Sequence, residues 1–440
     1  MIDPQLPADT QAILLLCGYF GHRGDRSAKP LTLAEYNRLA SVLHRHRLRP
    51  ADLVESAAEE RIRELTLVKL DADRIVRLLG RGVEMGFAVE EWTRQGIWVL
   101  SRGDAGYPRI LKVSLRDKAP PLLFGAGRRD RLDAGGLGIV GSRDADEQAL
   151  QFTRDVAARC AREQLMVVSG GAKGVDRAAM QSALDAGGAV LGVLPEGVAK
   201  VATSRIYRGA IADGQLTLVS AFHPNARWSA GNAMGRNRHI YAFSHWTLVV
   251  SSATKGGTWS GATESLKNGW GRLLVRNTKE APEGNEKLIS MGGTALDPAY
   301  LKGLSPLREG LAELVPLESR KRTGPLLFPE MMAAQGESVS PDENNSAGTR
   351  ASTVSQEAKS PHLKGEGPAK EHEIGDLFGT VWPSLAVAFA EERADQDFSE
   401  VASSFNVQVG QLRAWVNQAV KKGYVVKQTR PVRYVVKSRA

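Results

Sequence analysis

The chain of 440 residues carries 58 Lys and Arg against 49 Asp and Glu, a net charge of +9, and is 42% hydrophobic. Such a length allows two or three domains with full cores, and the composition excludes a disordered or collagen-like protein. The positive excess permits a polyanionic partner without requiring one.

The apolar stretch Ala12 to Cys17 lacks a basic lead-in and falls well short of a bilayer span, so neither a signal peptide nor a transmembrane helix is expected. Cys17 and Cys160 form no CxxC pair and no metal-ligand spacing with the His residues, which fits a reducing cytoplasm. Residues 1–100 read as a helical module. In "LTLAEYNRLASVLHRHRL", Leu33, Tyr36, Leu39, Ala40 and Leu43 share one helical face, and a second helical stretch ends near Gly96.

From about Gly136 to Thr278, short apolar runs alternate with helical segments. The runs "LGIV", "LMVVSG", "AVLGVL", "TLVSAF", "TLVVSS" and "RLLVRN" predict a parallel sheet, covered on both faces by helices such as "DEQALQFTRDVAARCARE". The expected class is therefore α/β, a Rossmann-like domain over residues 101–305. Ligands of such sheets sit beyond the carboxyl ends of the strands.

Residues 306–375 read as a linker, Ser-, Gly-, Pro- and Glu-rich in their later part and too polar to bury a core. Residues 376–440 show two helical patterns and then "YVVKQTRPVRYVV", two strands around a basic turn, which together predict a winged helix. Beyond Gln411 the charged residues are all basic, among them Lys421, Lys422, Arg430 and Arg433. A DNA contact and a protein contact both fit that tail.

The candidate chemistry lies at the strand ends. After the first strand, Gly141 allows close approach, Ser142 offers a hydroxyl and Arg143 a bidentate phosphate fork. After the second come Ser169, Gly170, Gly171, Lys173 and Gly174, a bare loop with one cation. Arg236, Asn237 and Arg238 stand just before a predicted helix, and Lys255, Gly256 and Gly257 follow the fifth strand, ahead of a helix expected to open at about Gly261. A single Gly-rich turn says little, but four such segments at one sheet edge predict phosphate or nucleic-acid binding. No Walker A loop, Ser-His-Asp set or HExxH supports an enzyme, and no cofactor or metal is expected.

Residues 98–143, with "GYPRIL" and "APPLLFGAG" ahead of "VGSR", are similar to the lead-in of the DNA-processing protein A (DprA/Smf) family. "SGGAKGVDRAAMQSALDAGG", "GRNRHIYAFSHWTLVV" and "EGNEKLISMGGTAL" resemble its later motifs in the family's order. The resemblance implies an extended Rossmann domain that binds single-stranded DNA, dimerises and hands the strand to a RecA-type recombinase during DNA uptake and natural transformation. It implies DNA contacts at Ser142, Arg143, the loop Ser169 to Gly174, and Arg236, Asn237 and Arg238.

Three departures stand out. Ala233 and Met234 replace the family's aromatic and proline, Ser251 replaces a strand-end acid, and Met180 replaces a His. Trp228 would supply the missing aromatic platform or simply pack in a loop. "GGTWSGATE" partly resembles the loop of lysine-decarboxylase-like (LOG) nucleotide hydrolases. Glu264 would there stabilise an oxocarbenium-like charge, or else be a first-turn helix acid complementing the dipole. A nucleotide-sensing regulator is a further alternative. The expectation is a cytoplasmic, non-enzymatic single-strand DNA-binding protein.

Overall fold

The computed structural model describes residues 6–20, 29–55, 57–303, 306–316, 425–429 and 432–436. They fall into two units, one within Met1–Ser340 and one within Pro341–Ala440.

The first unit opens with α1 (Ala8–Cys17), α2 (Leu33–Arg45), α3 (Ala58–Glu64), α4 (Ala72–Leu79) and α5 (Gly82–Arg94). Thr32 caps α2, its hydroxyl accepting from the Glu35 N–H while the Glu35 carboxylate accepts from the Thr32 N–H. The predicted apolar face of α2 is buried at Tyr36, Leu39, Ala40 and Leu43. Gly80 ends α4, so the second helical stretch is two helices and not one.

The sheet contains β1 (Ile97–Ser101), β2 (Leu122–Ala126), β3 (Leu137–Val140), β4 (Val167–Ser169), β5 (Val190–Val193), β6 (Leu216–Ser220), β7 (Trp246–Val249), β8 (Arg272–Arg276) and β9 (Thr294–Leu296). Their order is β1-β2-β6-β5-β4-β3-β7-β8-β9. The six strands expected from the apolar runs are all present and mutually parallel. Three strands were not expected: β9, which is parallel to β8, and the pair β1 and β2, which joins β6 antiparallel. The expected boundary after residue 100 falls inside β1, all of whose residues are buried.

The remaining helices of this unit are α6 (Arg109–Leu115), α7 (Glu147–Arg162), α8 (Val175–Asp185), α9 (Val198–Ala202), α10 (Arg208–Ala212), α11 (Ala230–Phe243), α12 (Gly257–Asn268), α13 (Glu283–Ser290), α14 (Pro298–Gly303) and α15 (Leu307–Leu314). Strand residues alternate between two cores, as the pleat requires. Ile139, Val167, Leu216 and Leu248 join α1, α2, α7 and α8 on one face. Val140, Val168, Leu191 and Val249 join α6, α11, α12 and α13 on the other. Helices on both faces explain why these strands read as continuous apolar runs.

The second unit shows β10 (Val425–Thr429) paired antiparallel with β11 (Val432–Val436), the two strands predicted there. The predicted helices of the winged helix, the basic turn and most of the linker lie outside the described residues. No described helix is long and apolar enough to cross a membrane.

Candidate nucleic-acid interface

Strand order reverses at β3, which has β4 on one side and β7 on the other. The crevice at such a reversal, outside the carboxyl ends, is where open α/β sheets bind ligands. The loops after β3, β4 and β7 all end there, and α11 reaches it from β6.

The backbone of this edge is tightly fitted. A Cβ on Gly141 would lie 2.6 Å from Val175 Cγ2, so α8 packs against the β3 loop only because that side chain is missing. Gly174 precedes α8 with φ 82° and ψ −131°, and a Cβ there would lie 2.4 Å from the Ser142 carbonyl oxygen. The Ser142 N–H donates to the Ser251 carbonyl at 2.8 Å, joining the β3 and β7 loops. Neither α8 nor α12 has a side-chain N-cap; at α8 the Val175 and Arg177 N–H groups donate to the Ser142 and Ala172 carbonyls at 3.3 and 3.0 Å, whereas the start of α12 is open to an anion.

Beneath the loops lies a buried pair that the sequence reading did not single out as a pair. Arg236 Nη1 stands 3.8 Å from Asp176 Oδ2, with only 4% and 8% of the two side chains exposed. The backbone N–H groups of Gly141, Gly170 and Ala172 also face the Asp176 carboxylate and favour its charged form. Burial raises its pKa, against the pull of Arg236 and of those donors. Burial likewise presses the Arg236 guanidinium downward, opposed by Asp176 and assisted by Arg143, yet a guanidinium has ample margin to stay charged. Arg236 Nε and Nη1 have no hydrogen-bond partner among the described residues. His239, one turn further along α11, is pushed down to about 3 by burial, then by Arg238 and Arg236.

The expected contact residues divide accordingly. Arg143, Lys173, Lys255, Gly256 and Gly257 are exposed at the edge, and Gly141, Ser142, Gly171 and Gly174 are partly exposed. Lys173 is paired only loosely with Asp144, at 3.6 Å and with both side chains more than 70% exposed. Ser169 departs from expectation: it is buried, and its hydroxyl donates to the Ile139 carbonyl at 2.7 Å, so it serves the sheet. Gly170 is buried too, and a Cβ there would lie 1.4 Å from Arg236 Nη1. Its bareness makes room for that arginine.

The Arg236 to Arg238 triplet lies inside α11, not ahead of it. The helical register turns Arg236 inward with Ala233, Ile240 and Phe243. Asn237 Nδ2 donates to the Gly257 carbonyl at 3.0 Å, and Arg238 Nη2 lies 3.8 Å from Glu264 Oε1. Helix α12 opens at Gly257 rather than Gly261, so Glu264 is not a first-turn acid; its partner is Arg238. Trp228 is not packed away in a loop. It is 50% exposed, and Arg143 Cζ lies over its ring, 5.9 Å from the centroid. Among the described residues, no cluster of three or more His, Cys, Asp or Glu is placed to hold a metal ion.

This edge can therefore present separate cations and the open start of α12 to a chain of phosphates, held on a buried frame. Residues 98–299 match the model of the DNA recombination-mediator protein A family. A protein Smf from Synechocystis sp. is 28% identical over 176 residues, covering 38% of this chain and 43% of that protein. The DNA processing protein DprA of Bacillus subtilis is 28% identical over 211 residues, covering 47% of this chain and 70% of that protein. The chain thus spans about two fifths of the Synechocystis relative's length. The solved structure of DNA processing protein A from Streptococcus pneumoniae has the same fold at 18% identity, with a TM-score of 0.50 over 62% of this chain and 93% of that one. Residues 98–299 of the chain are therefore similar to the DNA recombination-mediator protein A family, whose relatives here carry the names DprA and Smf.

Proposed function

We propose that this chain binds single-stranded DNA along the carboxyl edge of its sheet, protects the strand, and passes it to a RecA-type recombinase. The observation that carries the reading is the set of exposed cations Arg143, Lys173 and Lys255 on three loops that meet at one strand-order reversal. Contacts of this kind bind phosphates without reading bases, as a carrier of arbitrary strands requires. The uncapped start of α12 behind the bare Gly256 adds backbone donors of the same preference. The buried Asp176 and Arg236 frame holds these loops in register.

The same reading assigns the chain no chemistry of its own and no cofactor. It makes the chain a cytoplasmic homodimer serving DNA uptake, which rests on the family resemblance, and from composition and pattern it keeps residues 376–440 as a winged helix. The tether expected from residue 306 has to begin later, because α15 buries Leu307 and Leu311 in the core of the first unit. The rival, cleavage of a nucleotide's N-glycosidic bond, needs Glu264 as a free carboxylate. Here that group lies against Arg238, on the third turn of α12.

The test is fluorescence anisotropy of the full chain with labelled single-stranded and duplex DNA across a salt series, beside an assay for adenine release from AMP. Single strands should bind better than duplex and with steep salt dependence. Affinity that barely changes between low and moderate salt would overturn the reading, and adenine release would favour the rival.

A further inference from the structure

The aromatic side chain expected near the start of α11 is absent: Ala233 is buried there and Met234 is 57% exposed. Trp228, just ahead of the Ser229 N-cap of α11, is an exposed ring beside the phosphate edge. Its half-exposed indole keeps an apolar face in water that a stacked partner would cover. Arg143 explains part of the arrangement. Its guanidinium lies over the ring at 5.9 Å, coupling the residue to the loop after β3.

We propose that Trp228 is a stacking platform for an unpaired nucleobase, with Arg143 bound to the phosphate next to that base. This rests on the single-strand reading above and specifies how the strand is recognised. Two things favour this occupant. A nucleotide offers an anion and a π-face close together, and here a cation and an exposed ring stand together on one edge. The base must also be unpaired, since a base inside a duplex presents no free face. Stacking of this kind tolerates any base, so it adds affinity and selects single strands without selecting sequence.

The experiment measures binding of the full chain to a labelled single strand, and to a strand of equal length and phosphate number whose nucleotides are abasic. The wild type should bind the ordinary strand about tenfold more tightly than the abasic one. Trp228→Ala should lose about tenfold on the ordinary strand and almost nothing on the abasic one, while Trp228→Tyr keeps most of the affinity. Equal affinity of the wild type for both strands would overturn the platform while leaving phosphate binding in place, and needs no variant to fold. Equal losses on both strands in Trp228→Ala would overturn it as well, showing that the ring only props Arg143. A wild type that binds neither strand would overturn the single-strand reading itself, and the platform with it.

Discussion

Gly174 gives the sharpest test of how the edge is built, because Gly171, three residues earlier in the same loop, serves as its control. Both have positive φ, 69° at Gly171 and 82° at Gly174. Their surroundings differ. A Cβ at Gly171 would meet only Met180 Sδ at 3.7 Å, an ordinary contact. At Gly174 it would meet the Ser142 and Arg143 carbonyl oxygens at 2.4 and 2.7 Å, backbone atoms that cannot swing aside. Gly171→Ala should therefore cost about 1–2 kcal/mol, the strain of a left-handed L-residue. Gly174→Ala should add about 1–3 kcal/mol of overpacking to about 1–3 kcal/mol of strain, in total about 2–6 kcal/mol. At roughly 2–4 °C per kcal/mol, thermal unfolding followed by circular dichroism should separate the two variants by several degrees. Equal melting temperatures would refute the claim that α8 is seated directly on the carbonyls of the β3 loop.

Lys173→Ala and Arg143→Ala should each weaken single-strand binding by about 1–3 kcal/mol and flatten the log–log salt slope by about 0.7, as read by anisotropy at several salt concentrations. The melting temperature of Lys173→Ala should hardly move, since its ion pair with Asp144 is exposed. Gly170→Ala should push Arg236 away from Asp176 and destabilise by about 1–3 kcal/mol, seen in urea denaturation. His239 has a folded pKa of about 3, below its unfolded value of about 6.5. Its contribution to stability is complete above pH 6.5 and is lost as pH falls toward 3, by up to about 1.4 kcal/mol per pH unit. His239→Gln should flatten that part of the urea-stability profile.

The central sheet was legible because strands covered on both faces have to be apolar throughout, as "LGIV" and "TLVV" are. The pair β1 and β2 was not: "IWVLS" follows α5 directly and reads as its tail, and pairing to β6 across more than 90 residues leaves no local signal. β9 is three residues long, too short for any period. At the site, glycines and exposed lysines could be placed from their loops alone. Arg236 was misplaced because its charge suggested solvent, although Ala233, Arg236, Ile240 and Phe243 at helical spacing mark one inward face. Asp176 was passed over because its role exists only once the loops after β3 and β4 meet around it.

That acid has a consequence for how the protein can change. Gly141, Gly170 and Ala172 point their backbone N–H groups at a single carboxylate, so the shape of the rim is fixed by one inner residue and not by the cations that decorate it. Labour is divided between a frame whose substitution is costly and an outer ring that can be exchanged one position at a time. Lys173 or Lys255 can be traded, moved or reversed in sign to retune grip on a polyanion, and the architecture will register little of it. Alteration of Asp176 should instead loosen the strand ends together, as one hinge, and cost every contact at once.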